Sequence, residues 1–196
     1  MAKAWIKMVT DNEASDEVKA IFDQARTPHG TLDNVMRIHG LRPDTMLGHL
    51  HLYRSVLHSD DLTLAISFLE VIASYVSSLN QCDYSLTHHW NNAEKLIDNI
   101  QLSDRVYRAI TNDNLECLFE EKELALLNYA KKLTLSVQHM EKDDVEKLRL
   151  IGIIDGEILE VNQVVAYFNY SNRLLNGLGV STSGDVLGFY SGLDEC

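Results

Sequence analysis

The stretch Glu70-Val-Ile-Ala-Ser-Tyr-Val-Ser-Ser-Leu-Asn80-Gln-Cys82-Asp-Tyr-Ser85-Leu-Thr-His88-His89 decides how the rest of the chain is read. Residues 62–79 are apolar on more than one stripe, which predicts a helix buried on more than one side. Asn80 breaks that run and is a residue type that caps a following helix. Cys82 is then expected in the first turn of the second helix. Cys82, Ser85 and His89 are spaced i, i+3, i+7 and share one helical face. A thiol at a helix N-terminus feels the positive end of the dipole, so the reading predicts a depressed thiol pKa and a thiolate. A histidine two turns along can take or return its proton. Glu70 lies near the middle of the apolar helix, where an unpaired carboxylate is costly, so it needs a partner.

Outward from this stretch the periodicity is helical throughout, with no convincing alternation of period two. Ser15-Asp16-Glu17 opens a helix with acids in its first turn, and Val18, Ile21, Phe22 and Ala25 form its apolar stripe. A short helix over 32–39 ends at Gly40, and Pro43 suits the first turn of the next, which runs to about residue 58. Ser59-Asp60-Asp61 reads as the cap of the Glu70 helix. Ser103-Asp104 reads as the start of a further helix. Longer or shorter helices are expected over 120–138, 141–150 and 158–175, with Gly177 and Gly179 stopping the last. The expected fold is all-α, one domain of about eight helices over residues 1–179. Residues 180–196 lack helical periodicity and read as a tail, in which Leu187, Phe189, Tyr190 and Leu193 suggest docking onto the domain.

The Glu70, Cys82, His89 spacing resembles the alkylhydroperoxidase D and carboxymuconolactone decarboxylase superfamily. That family's pattern is Glu, eleven residues, Cys-x-x-Cys, three residues, His, and Ser85 stands here in place of the second cysteine. Asp33-Asn34-Val35, Arg42-Pro43, Lys131-Lys132-Leu133-Thr134, Phe168-Asn169-Tyr170-Ser171-Asn172-Arg173 and Leu178-Gly179-Val180 look like its peroxidase-related branch. The resemblance implies a single-domain helical bundle of the AhpD kind and an antioxidant peroxidase. Cys82 would be the remaining redox thiol, with Glu70 and His89 as a proton relay. It also implies a homo-oligomer, a small-molecule substrate (a hydroperoxide or a small organic acid), a thiol reductant, and neither cofactor nor metal. In the family the sulfur nearer the histidine is usually assigned as the peroxide-attacking one, so with Ser85 the two-thiol cycle cannot run inside the motif. An outside thiol, Cys117 or Cys196 would have to resolve an oxidised Cys82. Two alternatives stay open: a cofactor-free decarboxylase or lactone-type enzyme using His89 and Glu70 with Cys82 a bystander, and a non-catalytic oligomeric binding protein.

Composition bounds the rest. A net charge of -12 argues against binding a phosphate backbone, so no nucleic-acid partner is expected. Three cysteines far apart do not make a disulfide framework and point to a reducing compartment. The start Met1-Ala-Lys-Ala-Trp-Ile-Lys lacks the apolar run of a signal peptide. Residues 62–79 are the one candidate membrane span, but Glu70 and its serines and threonines favour a core helix. The reading is cytoplasmic with no membrane partner. His49 and His51 form a His-x-His pair, yet on a helix that spacing points them to different sides, which argues against a metal site. His88, rotated off the Cys82 face, is expected to be exposed, Cys117 to be a core thiol, and Arg173 to seek a carboxylate.

Overall fold

The computed structural model describes residues 3–190. Among them are nine α-helices and no strand: α1 (Asp16–Ala25), α2 (Asn34–His39), α3 (Pro43–Leu57), α4 (Ile66–Leu79), α5 (Asp83–Ile97), α6 (Ile100–Thr111), α7 (Glu121–Leu135), α8 (Lys142–Leu150) and α9 (Asp155–Leu178). Single 3-10 turns lie between α6 and α7 and between α7 and α8. Among the described residues no helix is long and apolar enough to cross a membrane.

The organising element is α4, in which Leu69 through Ser77 are all buried. A helix buried on every side has to be surrounded, and α5, α6, α7 and α9 pack around it. Ser77 meets Ser85 while Glu70 meets His89 and Asn92, so α4 and α5 run antiparallel. The 24-residue α9 runs parallel to α4: Glu160 reaches Thr63 and Leu64 at one end, and Asn176 reaches Asn80 at the other. This main core includes Leu69, Ile72, Val76, Leu127, Val161 and Phe168. A second apolar cluster, with Phe22, Met36, Met46 and Leu50, joins α1, α2 and α3 into a separate layer.

Several helix ends differ from the sequence expectation. Ser15 caps α1 as expected, accepting from Val18 N. Asn80 does not cap α5: it ends α4, Gln81 takes a left-handed φ of 51°, and Cys82 is the N-cap. The Ser59-Asp60-Asp61 cap is also overturned. Helix α4 starts later, at Ile66, because the carboxylate of Glu160 on α9 takes the N–H groups of Thr63 and Leu64 at 2.7 and 2.9 Å. Helix α6 starts earlier than expected, capped by Asn99 accepting from Leu102 N.

Beyond α9, Gly179 turns left-handed at φ 59° and ends the helix. The chain then returns along the domain. Ser181 N donates to Lys3 O, and Phe189 N donates to Asn92 Oδ1 on α5. Gly188 permits this approach, since a Cβ there would sit 2.2 Å from Asn91 Oδ1 and its φ is +78°. Phe189 and Tyr190 pack on His58 as the sequence expectation required, whereas Leu193 lies outside the described residues.

If α4 is the core of the core, truncating it should hurt more than most changes. Ile72 is fully buried, and Ile72→Ala is expected to lower unfolding stability by about 2–5 kcal/mol, measured by urea denaturation.

Candidate active site

The charged centre of the molecule is Glu70. Its side chain is fully buried, and both oxygens are used. Oε2 lies 2.7 Å from His89 Nδ1, and Oε1 accepts from Asn92 Nδ2 at 3.0 Å. The partner that a carboxylate in an apolar helix requires is therefore supplied by α5. With Nδ1 directed at Glu70, His89 has Nε2 left for the space it lines. Phe168 braces the ring edge-on at 4.5 Å.

That space is a cavity of about 110 Å³ at the seam between the α1–α3 layer and helices α5 and α9. Asp33, His49 and Tyr53 line it from one side, Ser85, His88 and His89 from another, and Tyr167 from α9. Gly188 and Phe189 of the returning tail form part of its wall. Ser85 is buried and its hydroxyl pairs with Ser77 Oγ at 2.9 Å.

Cys82 does not follow its expectation. The residue is 1% exposed, clustered with Ala4, Ile38, Tyr84, Leu175 and Val180, and it is absent from the cavity lining. Burial pushes the thiol up to about 11 from an ordinary 9.0. The backbone N–H groups of Ser85 and Tyr84 oppose this, as a helix N-terminus should, although the thiol makes no capping bond, while Asp83 raises it further. Desolvation by the two chain ends outweighs the dipole. The expected depressed pKa is overturned.

Three other expectations are corrected. His88 is buried, its ring tilted against Tyr84 with centroids 4.8 Å apart and with Nε2 3.4 Å from Asp185 Oδ2. The tail brings Asp185 there, which no local pattern could show. Cys117 is exposed, and its thiol donates to Asn114 O in a 3-10 turn that faces solvent. Among the described residues Arg173 finds no carboxylate: it donates to the backbone oxygen and side-chain oxygen of Asn169 one turn earlier. Cys196, the other candidate to resolve an oxidised Cys82, lies outside the described residues.

The histidine pair behaves as its spacing implied, with His49 buried and His51 exposed. What spacing did not reveal is that His49 stacks on His39 of α2 at 4.4 Å and meets Tyr167 OH at 3.3 Å through Nε2. Burial first, and the charge of His39 second, push His49 down to about 3. It is a neutral wall of the cavity at any physiological pH. Among the described residues no group of three His, Cys, Asp or Glu side chains is placed to hold a metal ion.

No protein-family model matches the sequence, and no curated protein matches it. Solved structures do. An uncharacterised peroxidase-related protein with an alkylhydroperoxidase AhpD core, from Ralstonia eutropha JMP134, superposes with a TM-score of 0.81 at 20% identity over 93% of each chain. A peroxidase-related protein from Silicibacter sp. TM1040 gives a TM-score of 0.79 at 22% identity over 92% of each. The debrominase Bmp8, a cysteine-to-alanine variant of which was solved with 2,3,4-tribromopyrrole, gives 0.72 at 18% identity over 90% of each. At these identities it is the fold that is shared, and the chain has the AhpD-like fold that its Glu70-Cys82-His89 spacing implied.

The two thiols should separate cleanly. Iodoacetamide at pH 8 is expected to alkylate exposed Cys117 and leave Cys82 unmodified in the folded protein, as read by peptide mass spectrometry.

Proposed function

We propose that this chain is an AhpD-like enzyme that binds a small substrate in the cavity and moves a proton with His89, oriented by Glu70. The observation that carries this reading is the 2.7 Å bond from a fully buried carboxylate to the imidazole of a histidine on the cavity wall. Glu70 holds the proton on Nδ1, so Nε2 carries the lone pair that faces the substrate. When Nε2 takes a proton, the adjacent carboxylate stabilises the imidazolium. Ser85 faces Ser77 and shapes the wall next to His89. This chemistry matches the cofactor-free decarboxylase or lactone-type reading, in which Cys82 does not react.

A second reading, reduction of hydroperoxides by Cys82, keeps two observations in its favour. The backbone N–H groups of Tyr84 and Ser85 pull the thiol pKa down, against burial, and structural neighbours are described as peroxidase-related. On that reading the chain ends must part to expose Cys82. Its thiolate would then attack the peroxide oxygen, releasing an alcohol and leaving a sulfenic acid for an external thiol to reduce.

Kinetics of four proteins decide between them: wild type, His89→Gln, Glu70→Gln and Cys82→Ser, each tested on a panel of small lactones and keto acids and on cumene hydroperoxide with dithiothreitol. The proton-transfer reading expects His89→Gln to lower kcat by about 10²–10⁴-fold, with Cys82→Ser within about twofold of wild type. Turnover abolished by Cys82→Ser alone would establish the second reading instead.

A further inference from the structure

Asp33 stands at the N-cap of α2, the position where aspartate ordinarily accepts a backbone N–H, yet it makes no capping bond. The bond is made by another residue. Asp185, brought back by the tail from 151 positions away, takes Asn34 N on both oxygens at 3.1 and 3.2 Å. Asp185 is further held by Tyr84 OH at 2.6 Å. The tail thus does the work that Asp33 would do locally, and Asp33 is released to the cavity that it lines. There its Oδ1 is buried without a hydrogen-bond partner among the described residues. A buried, unpaired carboxyl oxygen on a cavity wall is unusual, because such groups are nearly always satisfied.

We propose that Asp33 is a second substrate-contacting group of this cavity, which in its acid form donates a hydrogen bond to a carbonyl oxygen of a small neutral ligand while His89 handles the transferred proton. The proposal deepens the reading of the cavity as a substrate pocket and rests on it. A protonated carboxyl is a donor and needs an acceptor, and a carbonyl oxygen provides one without adding charge. A neutral ligand suits the surroundings, since Glu70 and Asp185 already place two buried carboxyl groups nearby. The rings of His49, Tyr53 and Phe189 on the same wall suit a flat, apolar body.

Asp33 keeps its proton unusually well. Burial pushes its carboxyl up to about 6 from 3.8, the charges of His88 and His89 on α5 and of His29 oppose this, and Asp185 adds to it. Tyr53 of α3 and Tyr84 of α5 also feel its charge, and Arg26 and Arg54 line the same cavity. Arg26 is engaged by Asp11 and Asp23, and Arg54 by Gln24 O. The sign follows directly: the donor form is present below the raised value and is lost as pH rises through it.

The experiment uses acetophenone as the neutral carbonyl probe, with affinity measured on the full chain by ligand-detected NMR at pH 5 and pH 8. Wild type is expected to lose about tenfold in affinity per pH unit above the Asp33 midpoint, close to a hundredfold over the interval. Asp33→Asn retains a donor at every pH and should bind within about twofold at the two values. Asp33→Ala should bind weakly at both. A pH dependence that survives in Asp33→Asn belongs to another group and overturns the proposal, as does pH-independent binding in wild type or unweakened binding in Asp33→Ala. Failure of wild type to bind at pH 5 overturns it too. The role of His89 is judged separately, by the turnover of His89→Gln, so the two failures are distinguishable.

Discussion

The structure depends on what a carboxylate costs in the middle of a core. Glu70 sits on a helix whose neighbours are buried from Leu69 to Ser77, where an unsatisfied charge would be worth several kcal/mol against folding. The two donors it uses, His89 and Asn92, are one turn apart on α5. That pairing sets the register of α5 against α4. It also sets where His89 points, so the same bond that satisfies the core orients the cavity histidine. Removing the carboxylate would leave two donors of α5 facing α4 without an acceptor, which is why the site and the scaffold are hard to separate here.

A second constraint comes from the chain ends. The segment around Ala4 and the residues following α9 meet, through Ser181 N to Lys3 O, over the N-terminus of α5. They bury Cys82 and reverse the effect of the helix dipole on its thiol. Further along, the same tail segment brings Asp185 to α2 and Phe189 to the cavity. One strand of irregular chain thus silences the cysteine, caps a distant helix and closes the pocket wall. The electrostatics of the site come from these crossings more than from any helix taken alone.

Much of this was legible in the sequence. The helical periodicity, the Ser15 cap, the predominantly apolar character of α4 and the demand of Glu70 for a partner all follow from local chemistry. The Glu70-Cys82-His89 spacing carried the fold, because Glu70 and His89, nineteen positions apart across a short break, can meet only when two helices fold back antiparallel. The reading of Cys82 went wrong for a definable reason: the dipole is a local effect that sequence shows, whereas desolvation depends on Ala4 and Val180, far away in sequence. His88 and Cys117 exchanged expected environments for the same reason. Asp33 was noted only as part of a resemblance; a missing cap bond is not a sequence property.

By itself, then, the sequence determined an all-α chain built around one buried helix, with a carboxylate and a histidine on facing elements. Those properties depend on spacing, and spacing is written in the chain. Only the tertiary structure decided which of the nearby polar groups meets the cavity, which is sealed and which is left unpartnered. Burial and hydrogen-bond satisfaction are set by residues up to 151 positions apart, and no local pattern encodes where a returning tail will lie.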